Sequence, residues 1–203
     1  MIDPLNVTDF ARSQDDLEQF WIFCIAVAGK NADQTAAKVA ALLAPRPAGQ
    51  TPLAYLRSLG PSLRNALVVC RTGQYDRIAR ALAESFDLDL RTAPIDALQR
   101  VHGVGPKTAR FFVLHSRGEA RVAVLDTHVL KWLKRLKVKD VPQHTPGSLK
   151  RYLELEALTI RIMERVFPEM TLAEADLHVW AVVSGRTLAP PPRCGACCGL
   201  FPE

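Results

Sequence analysis

Two side chains nineteen residues apart, Lys107 and Asp126, are the strongest candidates for covalent chemistry in this sequence. An unprotonated lysine amine is a nucleophile. A carboxylate acting with it takes up its proton or steadies positive charge on the group attacked. Lys107 lies in Leu98-Gln99-Arg100-Val101-His102-Gly103-Val104-Gly105-Pro106-Lys107-Thr108-Ala109. In this segment Gly103 ends one helix by taking a positive φ. Val104 plugs the turn into the core, and Gly105 lets the backbone come close to something outside. Pro106 opens the next helix at its first position, where a missing N–H costs nothing. The N–H groups of that helix start point outward and suit a phosphate. Thr108 and Ala109 are small enough for two helices to approach closely. The spacing apolar-x-Gly-apolar-Gly-x-Lys-x-Ala is that of a helix-hairpin-helix motif, which holds DNA backbone without reading sequence. An ordinary helical corner with packing glycines is the plainer alternative, and Lys107 as a mere phosphate contact is the plainer role. Val124-Leu125-Asp126-Thr127-His128 follows. Asp126 suits a helix cap, and two helix starts that converge on one cleft would also pair it with the lysine.

The elements that must position these groups are helical almost throughout. Ser13 is expected to cap a helix with Asp15 and Asp16 in its first turn. Leu17, Phe20, Trp21, Cys24, Ile25 and Ala28 then repeat at helical spacing. Asn31 or Asp33 starts a second helix. Further helices are expected near 52–59, 61–70, 75–86, 94–101, 106–117, 126–137, 148–167 and 171–185. Pro190, Pro191, Pro192 and Gly195 mark an irregular tail. With no strand alternation, the fold class is all-α, a bundle of about ten short helices.

The chain has 203 residues, 48% apolar and 7% aromatic, enough for one domain or two small lobes. No apolar run reaches the roughly 18 residues of a membrane span. Asp3 and Asp9 precede any positive charge, unlike a signal peptide. A soluble, cytoplasmic protein with no membrane partner is expected. The net charge of +5 is uneven: residues 1–100 balance 11 Lys/Arg against 11 Asp/Glu, whereas 101–151 hold 11 Lys/Arg against Glu119, Asp126 and Asp140. Such an excess suggests a polyanion partner, because neutralised phosphates release counterions. Cys24 and Cys70 sit in apolar helical runs and read as small core residues.

Residues 101–130 resemble the endonuclease III branch of the helix-hairpin-helix DNA glycosylase superfamily, in its Gly-apolar-Gly-x-Lys-Thr-Ala hairpin and its apolar-Asp-Thr-His segment. Gly73-Gln74-Tyr75, Asp33 with Lys38, and Asp176, His178, Trp180, Gly185 and Arg186 extend the resemblance. It implies a DNA glycosylase fold of two helical lobes: residues 30–125 as a middle domain, and 1–29 with 126–203 as the second. It implies Lys107 as nucleophile and Asp126 as its partner, on a base flipped from duplex DNA. It also places Lys30, or Asn31 if the register slips by one, and Gln74 at the gap the base leaves. His102, Gly103, Gly105, Thr108 and Lys131 complete the expected DNA contacts, and Lys134, Arg135, Lys137 and Lys139 would line or flank the same side. His128 and His178 match family positions but read more simply as structural histidines.

The family's four-cysteine [4Fe–4S] pattern is incomplete. Cys194 and Cys197 supply its middle pair and Cys198 adjoins them. The first cysteine is missing near Leu188, and the last would fall at Glu203. No cluster, metal or other cofactor is therefore expected. The expected function is a bifunctional glycosylase/AP lyase, a monomer acting on damaged bases or abasic sites in double-stranded DNA, and nucleoid-associated if bacterial. Oxidised pyrimidines are the favoured lesions. An 8-oxoguanine glycosylase and a non-catalytic helix-hairpin-helix DNA-binding protein are the alternatives.

Overall fold

In the computed structural model, which describes residues 2–186, the chain divides into two compact units after Gly118. The described residues form ten α-helices, one 3-10 turn and no strand, in agreement with the expected fold class.

The first unit holds α1 (Gln14–Val27), α2 (Ala32–Leu43), α3 (Pro52–Ser58), the 3-10 turn Gly60–Ser62, α4 (Leu63–Val69), α5 (Tyr75–Ser85), α6 (Ile95–Arg100) and α7 (Pro106–Ser116). Its centre is α1. Ser13 caps this helix by accepting from the Asp16 N–H. Every residue from Phe20 to Ala26 is buried, so the helix is apolar all round in its second half and must be enclosed. It packs against α2, α3, α5 and α7. α1 lies in the first unit, and Ile22 and Phe23, off its expected stripe, are buried as well.

Two polar groups inside this core are satisfied. The Trp21 indole N–H donates to Ser85 Oγ at 2.9 Å, and Glu18 Oε2 accepts the Leu53 N–H at 2.7 Å at the start of α3. Phe112 of α7 stacks on Phe20 and meets Trp21 edge-on, with centroids 5.7 and 4.9 Å apart. These rings fasten the helix that bears Lys107 to the central helix.

The second unit begins at Glu119 with a segment free of regular secondary structure and continues with α8 (Thr127–Arg135), α9 (Leu149–Val166) and α10 (Leu172–Ser184). Leu125, Val129, Trp132, Leu133, Tyr152, Leu155, Met163, Phe167 and Val179 share its core. The fully buried Trp132 stacks on Phe167, with centroids 5.9 Å apart. Truncating so large a buried ring costs about 3–5 kcal/mol. Thr171 and Glu174 form a reciprocal capping box that opens α10. Among the described residues no helix is long and apolar enough to cross a membrane.

Candidate functional site

The hairpin forms as expected. α6 ends at Arg100, Val101 and Val104 turn into the core, and Gly103 takes φ +72°. Arg110 of α7 ties the two helices by donating to Gln99 Oε1 of α6 at 3.4 Å, and it also donates to the Pro106 carbonyl within α7 at 3.4 Å. Gly105 occupies the N-cap position of α7, Pro106 follows, and no side chain caps the helix. The first α-helical bond is Ala109 N–H to the Gly105 carbonyl, at 3.1 Å. The N–H groups of Lys107 and Thr108 therefore have no acceptor within the helix. They form the open, positive end of an eleven-residue helix.

Lys107 is half-buried in the first turn of α7. Its Nζ lies 5.0 Å from the centroid of the Phe111 ring, one turn along. Within its unit no carboxylate pairs with it, so the amine is steadied by a ring face rather than neutralised. Thr108 is 7% exposed, so what it offers outward is its N–H and not its hydroxyl. His102 is exposed, and its backbone N–H donates to Glu84 Oε2 at 2.7 Å.

Asp126 is the N-cap of α8, as its alternative reading held. Its Oδ1 accepts the N–H groups of His128 and Val129, both at 2.8 Å. Oδ2 makes no hydrogen bond among the described residues. The carboxylate is thus fixed by one oxygen and available through the other. Sequence reasoning missed what fixes the segment before it. Tyr152 Oη donates to the Ala123 carbonyl (3.0 Å) and accepts the Leu125 N–H (3.1 Å). Glu156 accepts the Ala123 N–H at 3.0 Å, and Thr145 Oγ1 donates to the Leu125 carbonyl at 2.7 Å. Tyr152 and the largely buried Glu156 stand one turn apart on α9. A glutamate at an otherwise apolar helical position was the available signal.

The remaining predicted residues separate. Asn31 is the N-cap of α2, and its Oδ1 accepts the Gln34 N–H at 3.0 Å. Lys30 and Gln74 come together. Lys30 Nζ donates to the Thr72 carbonyl at 2.8 Å and lies 3.5 Å from the Gly73 carbonyl. Burial, then the charges of Arg77 and Lys38, pull the Lys30 amine down to about 8. Lys30 is thus tied to the loop beside Gln74. Gln74 itself is exposed and left-handed, at φ +50°.

Lys131, Lys134 and Arg135 are exposed on α8 opposite buried Val129, Leu130, Trp132 and Leu133. At roughly 1.5 Å per residue, Lys134 and Arg135 sit at the far end of that helix from Asp126. His128 presents its ring to the edge of Trp180, with centroids 6.2 Å apart. His178 packs on Phe167, and burial lowers its pKa. The two histidines sit among aromatic rings, as structural residues do. Cys24 is buried, and burial pushes its thiol well up. Cys194, Cys197 and Cys198 lie outside the described residues. Among the described residues no three His, Cys, Asp or Glu side chains gather to hold a metal ion.

Three solved structures share this architecture. The 8-oxoguanine DNA glycosylase of Methanocaldococcus jannaschii aligns at a TM-score of 0.67 and 20% identity, over 91% of this chain and 86% of that one. Its glycosylase/lyase in complex with a 15mer DNA containing 8-oxoguanine aligns at 0.62 and 20%, over 88% and 86%. The 8-oxoguanine DNA glycosylase of Thermotoga maritima aligns at 0.63 and 24%, over 86% and 82%. The chain has the DNA glycosylase fold. In sequence, it is 34% identical over 90 residues to the 8-oxoguanine DNA glycosylase/AP lyase of Thermotoga sp. strain RQ2. That match spans 44% of this chain and 41% of the relative's length. No family model matches the chain.

Proposed function

We propose that this chain is a monomeric 8-oxoguanine DNA glycosylase/AP lyase. The observation that carries the reading is the hairpin: a lysine in the first turn of an uncapped helix, beside two N–H groups that lack acceptors. A phosphate held at that helix end brings the sugar of a neighbouring nucleotide toward the lysine.

In the proposed chemistry the damaged base leaves the duplex stack. The Lys107 amine bonds to C1′, and the glycosidic bond breaks with its electron pair departing on the base. Loss of an amine proton and opening of the sugar ring give the protonated imine. Removal of a C2′ proton then expels the 3′ phosphate and nicks the strand. Asp126 takes up the amine proton or balances positive charge on the sugar, through the carboxylate oxygen that the α8 cap leaves over.

The lesion assignment moves from oxidised pyrimidines to 8-oxoguanine. The hairpin wording favoured the former, whereas the names of the sequence relatives and structural neighbours support the latter. The test compares single-turnover cleavage of duplexes carrying 8-oxoguanine, thymine glycol or uracil. The fastest cleavage is expected on 8-oxoguanine. Fastest cleavage on thymine glycol would restore the pyrimidine reading, and tight binding with no cleavage of any duplex would leave a DNA-binding protein.

A further inference from the structure

Arg77 lies in the first turn of α5, three residues beyond Gln74, and its guanidinium joins three segments of the first unit. Nε donates to Gln74 Oε1 at 2.6 Å, Nη1 to the Gly103 carbonyl at 3.2 Å, and Nη2 to the Ile25 carbonyl at 2.8 Å. Ile25 lies in the last turn of α1, where carbonyls lack partners within the helix. A guanidinium only donates, so the Gln74 amide turns its oxygen to Arg77 and keeps its NH2 for another acceptor. Gly103 is bound to this side chain by shape as well. A Cβ there would stand 2.8 Å from Arg77 Cγ and 2.9 Å from Cδ, so position 103 requires glycine for contact as well as for its φ. From the other side of the loop, Lys30 holds the Thr72 carbonyl. The left-handed Gln74 thus sits on a loop pinned at both ends.

We infer that Arg77 is a positioning residue: it makes the hairpin turn, the Gln74 loop and the end of α1 one preformed body before DNA arrives, without itself binding a phosphate. The inference rests on the DNA-repair reading for its purpose, though not for the coupling itself. Preformed loops lower the ordering cost of binding. Removing the fork therefore weakens capture of the lesion duplex and leaves the chemical step of the captured complex nearly intact.

The test uses the full chain with Arg77→Met, which keeps much of the alkyl stem beside Gly103, and with Arg77→Lys, which keeps the charge but loses the fork. Hydrogen exchange in the unliganded protein should quicken together in residues 72–78 and 101–108, by about tenfold or more. The Kd for an 8-oxoguanine duplex should rise about tenfold in both variants, with the single-turnover rate at saturating enzyme within about twofold of the parent. The salt dependence of binding should keep its slope. A slope reduced by about one in Arg77→Met would make Arg77 a phosphate contact and overturn the inference. So would exchange that quickens in one loop alone, or full rescue of binding by Arg77→Lys. Should the methionine variant not fold, the lysine variant carries the same three readouts. If the parent binds no lesion duplex, the functional reading fails, and the exchange data still decide whether the coupling exists.

Discussion

The two units meet the same local problem, the unpaired N–H groups at a helix start, in opposite ways. In the first unit α7 opens on Gly105 and Pro106 with no side-chain cap, so its positive end is left for an anion from outside. In the second, α8 opens on Asp126, whose carboxylate takes two N–H groups at once, so that end already holds its own anion. An open end can collect a phosphate. A filled end trades that capacity for a carboxylate of fixed orientation. The difference explains how one lysine and one aspartate, each in or before a first turn, can serve different roles.

The sharpest way to break the comparison is to separate the charge of Asp126 from its cap. Asparagine caps about as well as aspartate, whereas alanine costs about 1 kcal/mol at such a position. Asp126→Asn should slow single-turnover cleavage by about 100-fold or more while leaving thermal stability nearly unchanged. Asp126→Ala should be at least as slow and also melt about 2–4 °C lower. Equal activity of Asp126→Asn and the parent would reduce Asp126 to a cap.

A smaller effect is expected one step behind the carboxylate. Tyr152→Phe leaves the Ala123 carbonyl and the Leu125 N–H without their shared hydroxyl, at a cost of about 1–3 kcal/mol. Because Leu125 precedes Asp126, cleavage should also slow about tenfold. Lost stability with unchanged cleavage would show that the support is structural only.

The smallest effect concerns Lys30. Its amine titrates lower in the fold, near 8, than its ordinary value of 10.5. Between those values the unfolded chain binds more protons, so this group makes stability rise with pH from about 8 to 10.5. Denaturation midpoints at pH 7.5 and 10 should show that component in the parent and lose it in Lys30→Met. An identical pH response in both proteins would contradict the half-buried, cation-flanked setting of Lys30.

Much of the fold is legible in the sequence because its helices announce their own ends. Ser13, Asn31, Asp126 and Thr171 each stand at a helix start and each accept a backbone N–H there. The hairpin is legible for the same reason: Gly103, Gly105 and Pro106 are demanded locally by φ and by the missing N–H. What the sequence conceals is tertiary. The all-round burial of α1 depends on which helices surround it, and its stripe alone does not show that Ile22 and Phe23 are also covered. Lys30 looks like a surface loop cation until the Thr72 carbonyl is seen beneath it. Arg77 and Tyr152 carry no local signature, because their partners lie 26–52 and 27–29 residues away apart from the Gln74 contact.

The most direct test of the central claim is borohydride trapping on 8-oxoguanine and abasic duplexes, with the parent and with Lys107→Ala. A covalent protein–DNA adduct is expected with the parent and none with Lys107→Ala, although the variant still folds and binds the duplex. An adduct that survives Lys107→Ala, or a parent that binds both duplexes and is trapped on neither, would contradict that claim.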